Sequence, residues 1–344
     1  MRRRWWWLVA VWLWAGCGQA FVGPDPSSDP EAVFDAFWEA YDRHYAHFGL
    51  KDIDWDGVYD KYAPQIGPHT TDEQLFEILG EMLLQLEDGH VYLVGDERRA
   101  VSNREIRSAR RTFDAQLVEQ QYLGVSKETG KGNIVYGRVG RGLGYIRLST
   151  LSGGEGFGLD ARGWIEDIDE AIDALRDAPG MIIDLRNNGG GRASNAKFVG
   201  SRFANERRSF LVTRSRNGPA HDDFSAPRTW HVESATDDPY VAPVVVLTNR
   251  NTFSAAEWLT LALRQFDHVV HMGTQTGGGL AMFLPRELPN GWMHTVSVQD
   301  TRCPLGRSYE RIGITPHRYS INGDRDIDDE RDRMLEEAIE FLQN

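Results

Sequence analysis

The stretch that decides the fold is Val244–Arg264, which reads VVVLTNRNTFSAAEWLTLALR. Its β-branched run at 244–247 predicts a buried strand, and the polar residues 249–251 predict a turn. Apolar residues at helical spacing then follow Ser254, namely Leu259, Ala262, Leu263 and Phe266. The stretch is therefore predicted to form a strand, a turn and a helix, with Ser254 at the helix N-terminus.

Ser254 at this junction has two interpretations. Its hydroxyl is expected near free backbone N–H groups and the positive end of the helix dipole, which suits a nucleophile whose attack creates an oxyanion. The run from Ser254 to Glu257 is also a Ser-x-x-Glu capping box, which requires no chemistry. The stretch alone leaves both interpretations open.

Composition narrows the class of protein. The chain has 344 residues, 41% of them hydrophobic, which supports sizeable cores. The formal net charge of -13 argues against a nucleic-acid partner, because binding to phosphates favours a basic surface. Basic residues cluster at Arg98–Arg99 and at 104–111, and we interpret this cluster as a solvated connector.

The N-terminus has the pattern of a targeting segment. Three arginines at 2–4 precede an apolar stretch at 5–14 that is short for a membrane span. The following Trp14-Ala15-Gly16-Cys17 approximates the lipobox of bacterial lipoproteins, and cleavage after Ala20 is the competing secretory interpretation. We predict a signal peptide at 1–16, a lipidated Cys17 that anchors the protein to the membrane, and a tether at 17–30. The protein is then exported and faces the periplasm or the cell exterior.

The rest of the chain divides by its hydrophobic pattern. Helical periodicity predicts a small helical domain at 31–94, followed by an irregular connector at 95–133. Strands and helices alternate from 134 to 344, which indicates an α/β core ending in a helix at 331–342.

The acidic run from Asp52 resembles the start of a calcium loop, but Ala63 stands where such a loop needs glutamate. Cys303 has no partner if Cys17 is lipidated, and neither a metal nor a cofactor is predicted.

Three glycine- or serine-containing segments are unusual for packing alone. They are Asp184–Gly191 (DLRNNGGG), Asn251–Glu257 (NTFSAAE) and Gly273–Gly279 (GTQTGGG). With Leu86–His90 upstream and Tyr309–Pro316 downstream, these segments resemble, in the correct order, the tail-specific or C-terminal-processing serine peptidase family. The resemblance spans the chain from about Glu31 to its C-terminus.

The same resemblance distinguishes two catalytic arrangements. One branch of the family uses a lysine about two dozen residues after the serine, but no lysine follows Lys197 in this chain. The tricorn-like branch uses a histidine and a glutamate, which match His90 and Glu310. One departure is Gly89, because tricorn has a serine before its histidine.

The resemblance implies roles for these residues. Ser254 is the expected nucleophile, His90 its general base, and Glu310 the group that supports His90 directly or through another residue. The expected oxyanion hole is formed by the N–H groups of Ala255 and of Gly190 or a neighbouring glycine. Further substrate-binding candidates are Gly189, Gly191, Thr276 and Gly277.

The expected fold is α/β, a crotonase/ClpP-like spiral of ββα units preceded by the small helical domain. The expected function is that of an exported serine endopeptidase. Since the connector is too short for the PDZ domain that many relatives carry, peptides or unfolded proteins are the expected substrates. A non-catalytic ligand-binding module on the same fold is the alternative, and crotonase-like chemistry on acyl-CoA rests on fold analogy alone. The oligomeric state is not predicted.

Overall fold

The computed structural model describes residues 27–103, 112–153, 162–323 and 325–344. The predicted signal peptide, Cys17 and most of the tether lie outside these ranges, as do the basic residues at 104–111. Within the described ranges, no helix combines the length and the hydropathy that crossing a membrane requires.

The N-terminal region is helical, as predicted. It contains α1 (Pro30–His44), the single turn α2 (Phe48–Lys51), α3 (Trp55–Tyr62) and α4 (Asp72–Leu84). Each longer helix begins at a polar N-cap whose side chain accepts a backbone N–H from the first turn; the N-caps are Asp29, Asp54 and Thr71. Asp54, part of the calcium-like run, is thus a helix cap.

The core of the chain is a seven-stranded mixed sheet. Its strands are β3 (Ser126–Thr129), β4 (Ile134–Val139), β5 (Leu143–Leu148), β6 (Met181–Asp184), β9 (Val244–Thr248), β10 (Val269–Gly273) and β14 (Arg318–Tyr319). The strand order is β14-β10-β9-β6-β5-β4-β3, parallel from β14 to β5 and antiparallel beyond. The predicted α/β fold with a preceding helical region is confirmed.

Helices cover both faces of this sheet. On one face, side chains such as Ile146, Ile183 and Val246 pack against α6 (Arg162–Ala174), α7 (Ala193–Ser201) and α8 (Ala255–Leu263). On the other face, neighbours such as Ile182 and Val245 pack against α5 (Ala115–Gln121) and α9 (Arg333–Gln343). Because both faces are buried, the central strands read as continuous apolar runs.

Two smaller antiparallel sheets complete the fold. One has the order β11-β12-β1-β2, from β1 (Tyr92–Gly95), β2 (Arg98–Val101), β11 (Phe283–Glu287) and β12 (Met293–Ser297). The other has the order β13-β7-β8, from β7 (Arg208–Ser215), β8 (Arg228–Val232) and β13 (Gln299–Arg302). Arg98 and Arg99 lie in β2 and stack on aromatic rings, so this part of the basic cluster is structural.

The helical region shares its core with the C-terminal half of the chain. The domain boundary predicted at residue 94 falls inside β1, which pairs with β12 through Leu93 and His294. Side chains of α1, α3 and α4 form one apolar cluster with Leu288, Trp292 and Val296. This shared core fixes the end of α4, and the turn that follows it, against the four-stranded sheet that contains β1 and β12.

Candidate active site

Ser254 lies at the tight turn between β9 and α8, as the sequence predicts. Its backbone has φ 57° and ψ -124°, a conformation that a non-glycine residue adopts only when its surroundings enforce it. The Phe253 N–H donates to the Asn188 carbonyl at 2.9 Å, and the Ser254 N–H donates to the Glu257 carboxylate at 3.0 Å. Such strain is common at nucleophilic turns, where it presents the side chain above the sheet.

His90 lies in the turn between α4 and β1. Its N–H donates to Asp88 Oδ1 at 2.9 Å, and its carbonyl accepts the hydroxyl of Thr295 at 2.6 Å. The imidazole ring stacks on Phe283, with ring centroids 5.0 Å apart, and contacts Phe253 at 4.6 Å. Its Nε2 lies 3.0 Å from Ser254 Oγ, so the fold brings together two residues that are 164 positions apart.

The environment of His90 favours a neutral ring. Burial lowers its pKa to about 4, and the positive charges of His47 and Lys51 act in the same direction against the opposing charge of Asp88. A neutral imidazole at neutral pH can accept the Ser254 proton. His90 Nδ1 is buried and has no hydrogen-bond partner among the described residues.

Glu310 does not hydrogen-bond to His90. It is buried, and its Oε1 lies 3.6 Å from Lys51 Nζ and 3.9 Å from His47 Nδ1. Burial and the neighbouring Asp88 raise the pKa of Glu310. Any support that Glu310 gives to His90 is therefore indirect, the second of the two routes predicted.

Asp88, His47 and Lys51 complete a buried charged cluster with Glu310. The Asp88 carboxylate accepts the Tyr45 hydroxyl at 3.1 Å, and its Oδ2 lies 3.4 Å from His47 Nδ1 and 3.6 Å from Lys51 Nζ. Ligand atoms of His47, Asp88 and Glu310 lie within 4.8 Å of one another, a spacing that a metal ion requires. However, the ammonium group of Lys51 lies close to both carboxylates and repels a divalent cation.

The sequence interpretation missed His47 and Lys51. Both belong to the helical region, where the pattern gave no ligand spacing, and their carboxylate partners lie 36 or more positions away along the chain. No local sequence motif indicates contacts between residues so far apart along the chain. The one available signal was that His47 and Lys51 are basic residues one helical turn apart in a segment with several aromatic residues.

The glycine loop after β6 approaches Ser254 closely. Gly190 has φ 96°, and a Cβ on it would lie 2.7 Å from Ser254 Cβ and 2.8 Å from the Ala255 nitrogen. Its own N–H, however, donates to Asn188 Oδ1 at 2.8 Å. The specific choice of Gly190 as oxyanion donor is therefore corrected: among the described residues, the N–H groups of Gly191 and Ala255 have no hydrogen-bond acceptor.

Two substrate-binding candidates are buried. Thr276 is fully buried, donates its hydroxyl to Glu257 Oε1 and accepts the Ile314 N–H. Gly277 is also buried, and its N–H donates to the Thr252 carbonyl at 2.8 Å. The Thr276 hydroxyl and the Gly277 N–H therefore already have hydrogen-bond partners inside the protein. Gly189 and Gly191 are exposed, and Gly191 borders the pocket beside Ser254.

Glu257 links Ser254 to the second glycine loop. Besides the Ser254 N–H and the Thr276 hydroxyl, its carboxylate accepts the N–H groups of Gly278 and Gly279 at 2.8 and 2.9 Å. Burial raises the pKa of Glu257 to about 7, although these four hydrogen bonds favour the ionised form. The glutamate half of the predicted capping box is present, because the Glu257 carboxylate accepts the Ser254 N–H. The Ser254 hydroxyl contacts His90, and the Glu257 N–H donates to the Ser254 carbonyl at 2.8 Å.

A small apolar pocket opens beside Ser254. Its volume is about 110 Å³, and no charged side chain lines it; the lining residues are Gly191, Ala193, Ser254, Ala255, Trp258, Leu280, Ala281, Met282 and Phe283. A larger cavity of about 940 Å³ lies elsewhere, between α1, α3 and the loop that follows β7. The small pocket includes Ser254 and Phe283, the ring on which His90 stacks, and the larger cavity includes neither.

Comparison with family models identifies the chain. A model described as peptidase family S41 matches residues 142–320, over half of the chain, and a tricorn protease C1 domain model matches residues 26–84. The chain belongs to peptidase family S41. The predicted relationship to the tail-specific proteases is confirmed.

Individual relatives agree with this S41 assignment. The carboxyl-terminal-processing protease of Synechocystis sp. is 32% identical over 182 residues, which cover 52% of this chain and 38% of that protein. The chain thus spans less than half the length of this relative. A tricorn protease homolog of Streptomyces coelicolor is 29% identical over 69 residues, 20% of this chain and 6% of that protein.

Solved structures share the fold. A putative peptidase from Parabacteroides merdae has a TM-score of 0.82 and 29% identity, covering 92% of this chain and 98% of that one. Mature CPAF has a TM-score of 0.70 and covers 91% of this chain and 95% of that one, but its 12% identity shows the fold alone.

Proposed function

We propose that this S41 peptidase hydrolyses peptide bonds with Ser254 as nucleophile and His90 as general base. The observation that carries the proposal is the 3.0 Å contact between His90 Nε2 and Ser254 Oγ at a strained turn. His90 accepts the hydroxyl proton while Ser254 attacks the carbonyl carbon, and then donates that proton to the leaving amine. Water, activated by the same imidazole, hydrolyses the acyl-enzyme.

The negative charge that develops on the substrate oxygen requires fixed donors. The N–H groups of Ala255 and Gly191 are unengaged and flank the nucleophile, so they are proposed as the oxyanion hole. Loss of one such donor typically costs about 3–4 kcal/mol of transition-state stabilisation. Asp88 and Glu310 supply negative charge behind the imidazolium that forms during attack.

The pocket beside Ser254 supports a substrate preference. Its volume of about 110 Å³ is below the ~150 Å³ of a cavity that accepts benzene. Its lining offers no partner for a charged side chain. We infer that peptides or unfolded proteins with a small or medium aliphatic side chain before the cleaved bond are the preferred substrates.

The test of this function is Ser254→Ala in the full chain. The variant is expected to lose hydrolysis of a peptide library and labelling by a fluorophosphonate probe while its circular dichroism stays unchanged. Ser234→Ala, at an exposed serine, is the matched control and retains both activities. Hydrolysis by Ser254→Ala would refute the assignment, and a folded wild-type protein inert to probe and library, yet binding an apolar ligand, would favour the binding-module alternative.

We also propose that the protein is exported and anchored to the membrane through a lipidated Cys17. The proposal rests on the sequence pattern Arg2–Arg4, the apolar stretch and Cys17. Metabolic labelling with an alkyne fatty acid is expected to mark the wild type but not Cys17→Ala. Labelling of the variant, or a mature N-terminus at Phe21 by mass spectrometry, would refute the lipid anchor.

A further inference from the structure

The charged cluster behind His90 contains a histidine to which the mechanism assigns no role. His47 follows the C-terminus of α1 and is 1% exposed. Its nearest charged neighbours are Lys51 on its own segment, Asp88 from the turn after α4 and Glu310 from the chain that follows β13. The Tyr45 ring lies edge-on to it at 5.4 Å.

Both ring nitrogens of His47 face hydrogen-bond acceptors. Nε2 lies 3.1 Å from the carbonyl oxygen of Gln299, and a carbonyl oxygen cannot donate, so Nε2 carries a hydrogen. Nδ1 faces Asp88 Oδ2 at 3.4 Å and Glu310 Oε1 at 3.9 Å. A ring protonated only at Nε2 would direct the Nδ1 lone pair at two carboxylates. When both ring nitrogens are protonated, Nε2 donates to the Gln299 carbonyl and Nδ1 donates to the Asp88 carboxylate.

With both carboxylates ionised, the charges of the cluster balance only when His47 is positively charged. Asp88 and Glu310 contribute two negative charges, and the ammonium group of Lys51 contributes one positive charge while it donates to the Leu86 carbonyl at 2.9 Å. A positively charged His47 supplies the second positive charge. Burial acts to lower the pKa of His47, but Glu310 and Asp88 outweigh it and the pKa is raised. An unbalanced charge in such a buried place is costly.

We propose that His47 is a positioning residue of the active site, held as an imidazolium between Asp88 and Glu310 so that both carboxylates remain charged behind His90. Asp88 Oδ1 in turn holds the His90 backbone N–H. His47 also anchors this cluster to β13 through Gln299. The inference rests on the proposed roles of Ser254 and His90. It adds that His47 sets the pH range in which His90 can act as a base.

The kinetic test compares His47→Gln with His44→Gln. Glutamine keeps polar atoms but no charge, and His44 lies at the end of α1 outside the cluster. Loss of the positive charge makes His90 easier to protonate, so the acid limb of kcat/KM is expected to move up by about one pH unit, with KM changed less than twofold. His44→Gln is expected to match the wild type. A His47→Gln profile that superimposes on that of the wild type would overturn the proposal.

A second measurement does not depend on catalysis or on the variant folding. Nitrogen-15 NMR of the histidine-labelled wild type, with ring signals assigned by connectivity to the backbone, reports the protonation of each ring nitrogen. Both nitrogens of His47 are expected to carry hydrogen at pH 7. A single ring hydrogen on His47 would overturn the proposal even if Ser254→Ala confirms the peptidase mechanism, so the two failures are distinguishable.

Discussion

At the scale of single residues, catalysis depends on keeping one imidazole neutral inside a charged surrounding. His90 is buried next to two aromatic rings and close to two cations, and both its burial and these positive charges disfavour its protonated form. The Asp88 carboxylate, which accepts the His90 backbone N–H, favours the protonated form. The balance lowers the pKa of His90 to about 4. The residue is therefore a base that is available well below neutral pH.

This balance predicts the acid limit of activity. The free enzyme is active when His90 is unprotonated, so kcat/KM is expected to fall as the pH decreases through about 4. The measurement is the pH profile of kcat/KM on a peptide without titratable groups, with circular dichroism at each pH to exclude unfolding. A midpoint near 6.5, the value of an unperturbed histidine, would show that burial and the two cations do not control this residue.

At the scale of elements, α7 and α8 line the pocket that we propose as the specificity pocket. Ala193, at the start of α7, lines the pocket opposite the β11 segment. Ala193→Leu is expected to fill much of the space and to lower kcat/KM for substrates with Leu before the cleaved bond by at least about tenfold relative to Ala. Ser194→Leu, exposed on the same helix, is the control. An unchanged preference in Ala193→Leu would place the specificity pocket elsewhere.

The C-terminal helix α9 stabilises the glycine loop from behind. Its N-cap Asp332 accepts the Leu335 N–H and pairs with buried Arg186 at 2.8 Å. Arg186 also forms two-pronged hydrogen bonds with Asp184 and stacks on Phe113. The helix end and the strand end that leads to Gly190 are thus joined by one guanidinium group.

Removal of that cap predicts a large loss of stability. Asp332→Ala removes one of the two carboxylates that pair with buried Arg186 and leaves α9 without its cap, so the free energy of unfolding is expected to fall by about 2–4 kcal/mol. Urea denaturation followed by circular dichroism measures this loss. Asp329→Ala, an exposed residue in the preceding turn, is expected to change it by less than about 0.5 kcal/mol. Equal effects of the two substitutions would contradict the role of the buried pair.

At the scale of the whole molecule, the sequence predicts best those strands and site residues whose pattern lies within one short segment of the chain. The apolar run at 244–247 predicts β9, because burial on both faces of that strand requires an unbroken apolar run. β7 and β13 were missed because they carry arginines and acids, such as Arg214 and Asp300, that pair across 86 positions. The family resemblance predicted Ser254 and His90. It did not predict His47, whose partners are set by the tertiary fold alone.

The shared core of the helical region and the C-terminal half explains why His90 can serve a serine so distant in sequence. Tyr41 donates its hydroxyl to the Thr295 carbonyl at 2.8 Å, and the Ala46 N–H donates to Ser297 at 2.8 Å. Trp292 packs edge-on against Phe76 of α4. Since the contact of His90 with Ser254 crosses this interface, activity requires the interface to be intact.

Unfolding is therefore expected to abolish activity and structure together. Circular dichroism at the helix band, tryptophan fluorescence and residual peptidase activity should give the same thermal midpoint for the wild type. Trp292→Ala removes a buried ring from the shared core, which costs about 3–5 kcal/mol, and should lower all three midpoints equally. Leu305→Ala, at a residue that is 96% exposed, is the control and should leave them unchanged. An activity midpoint well below the structural one would instead mean that the helical region separates from the sheet before the sheet unfolds.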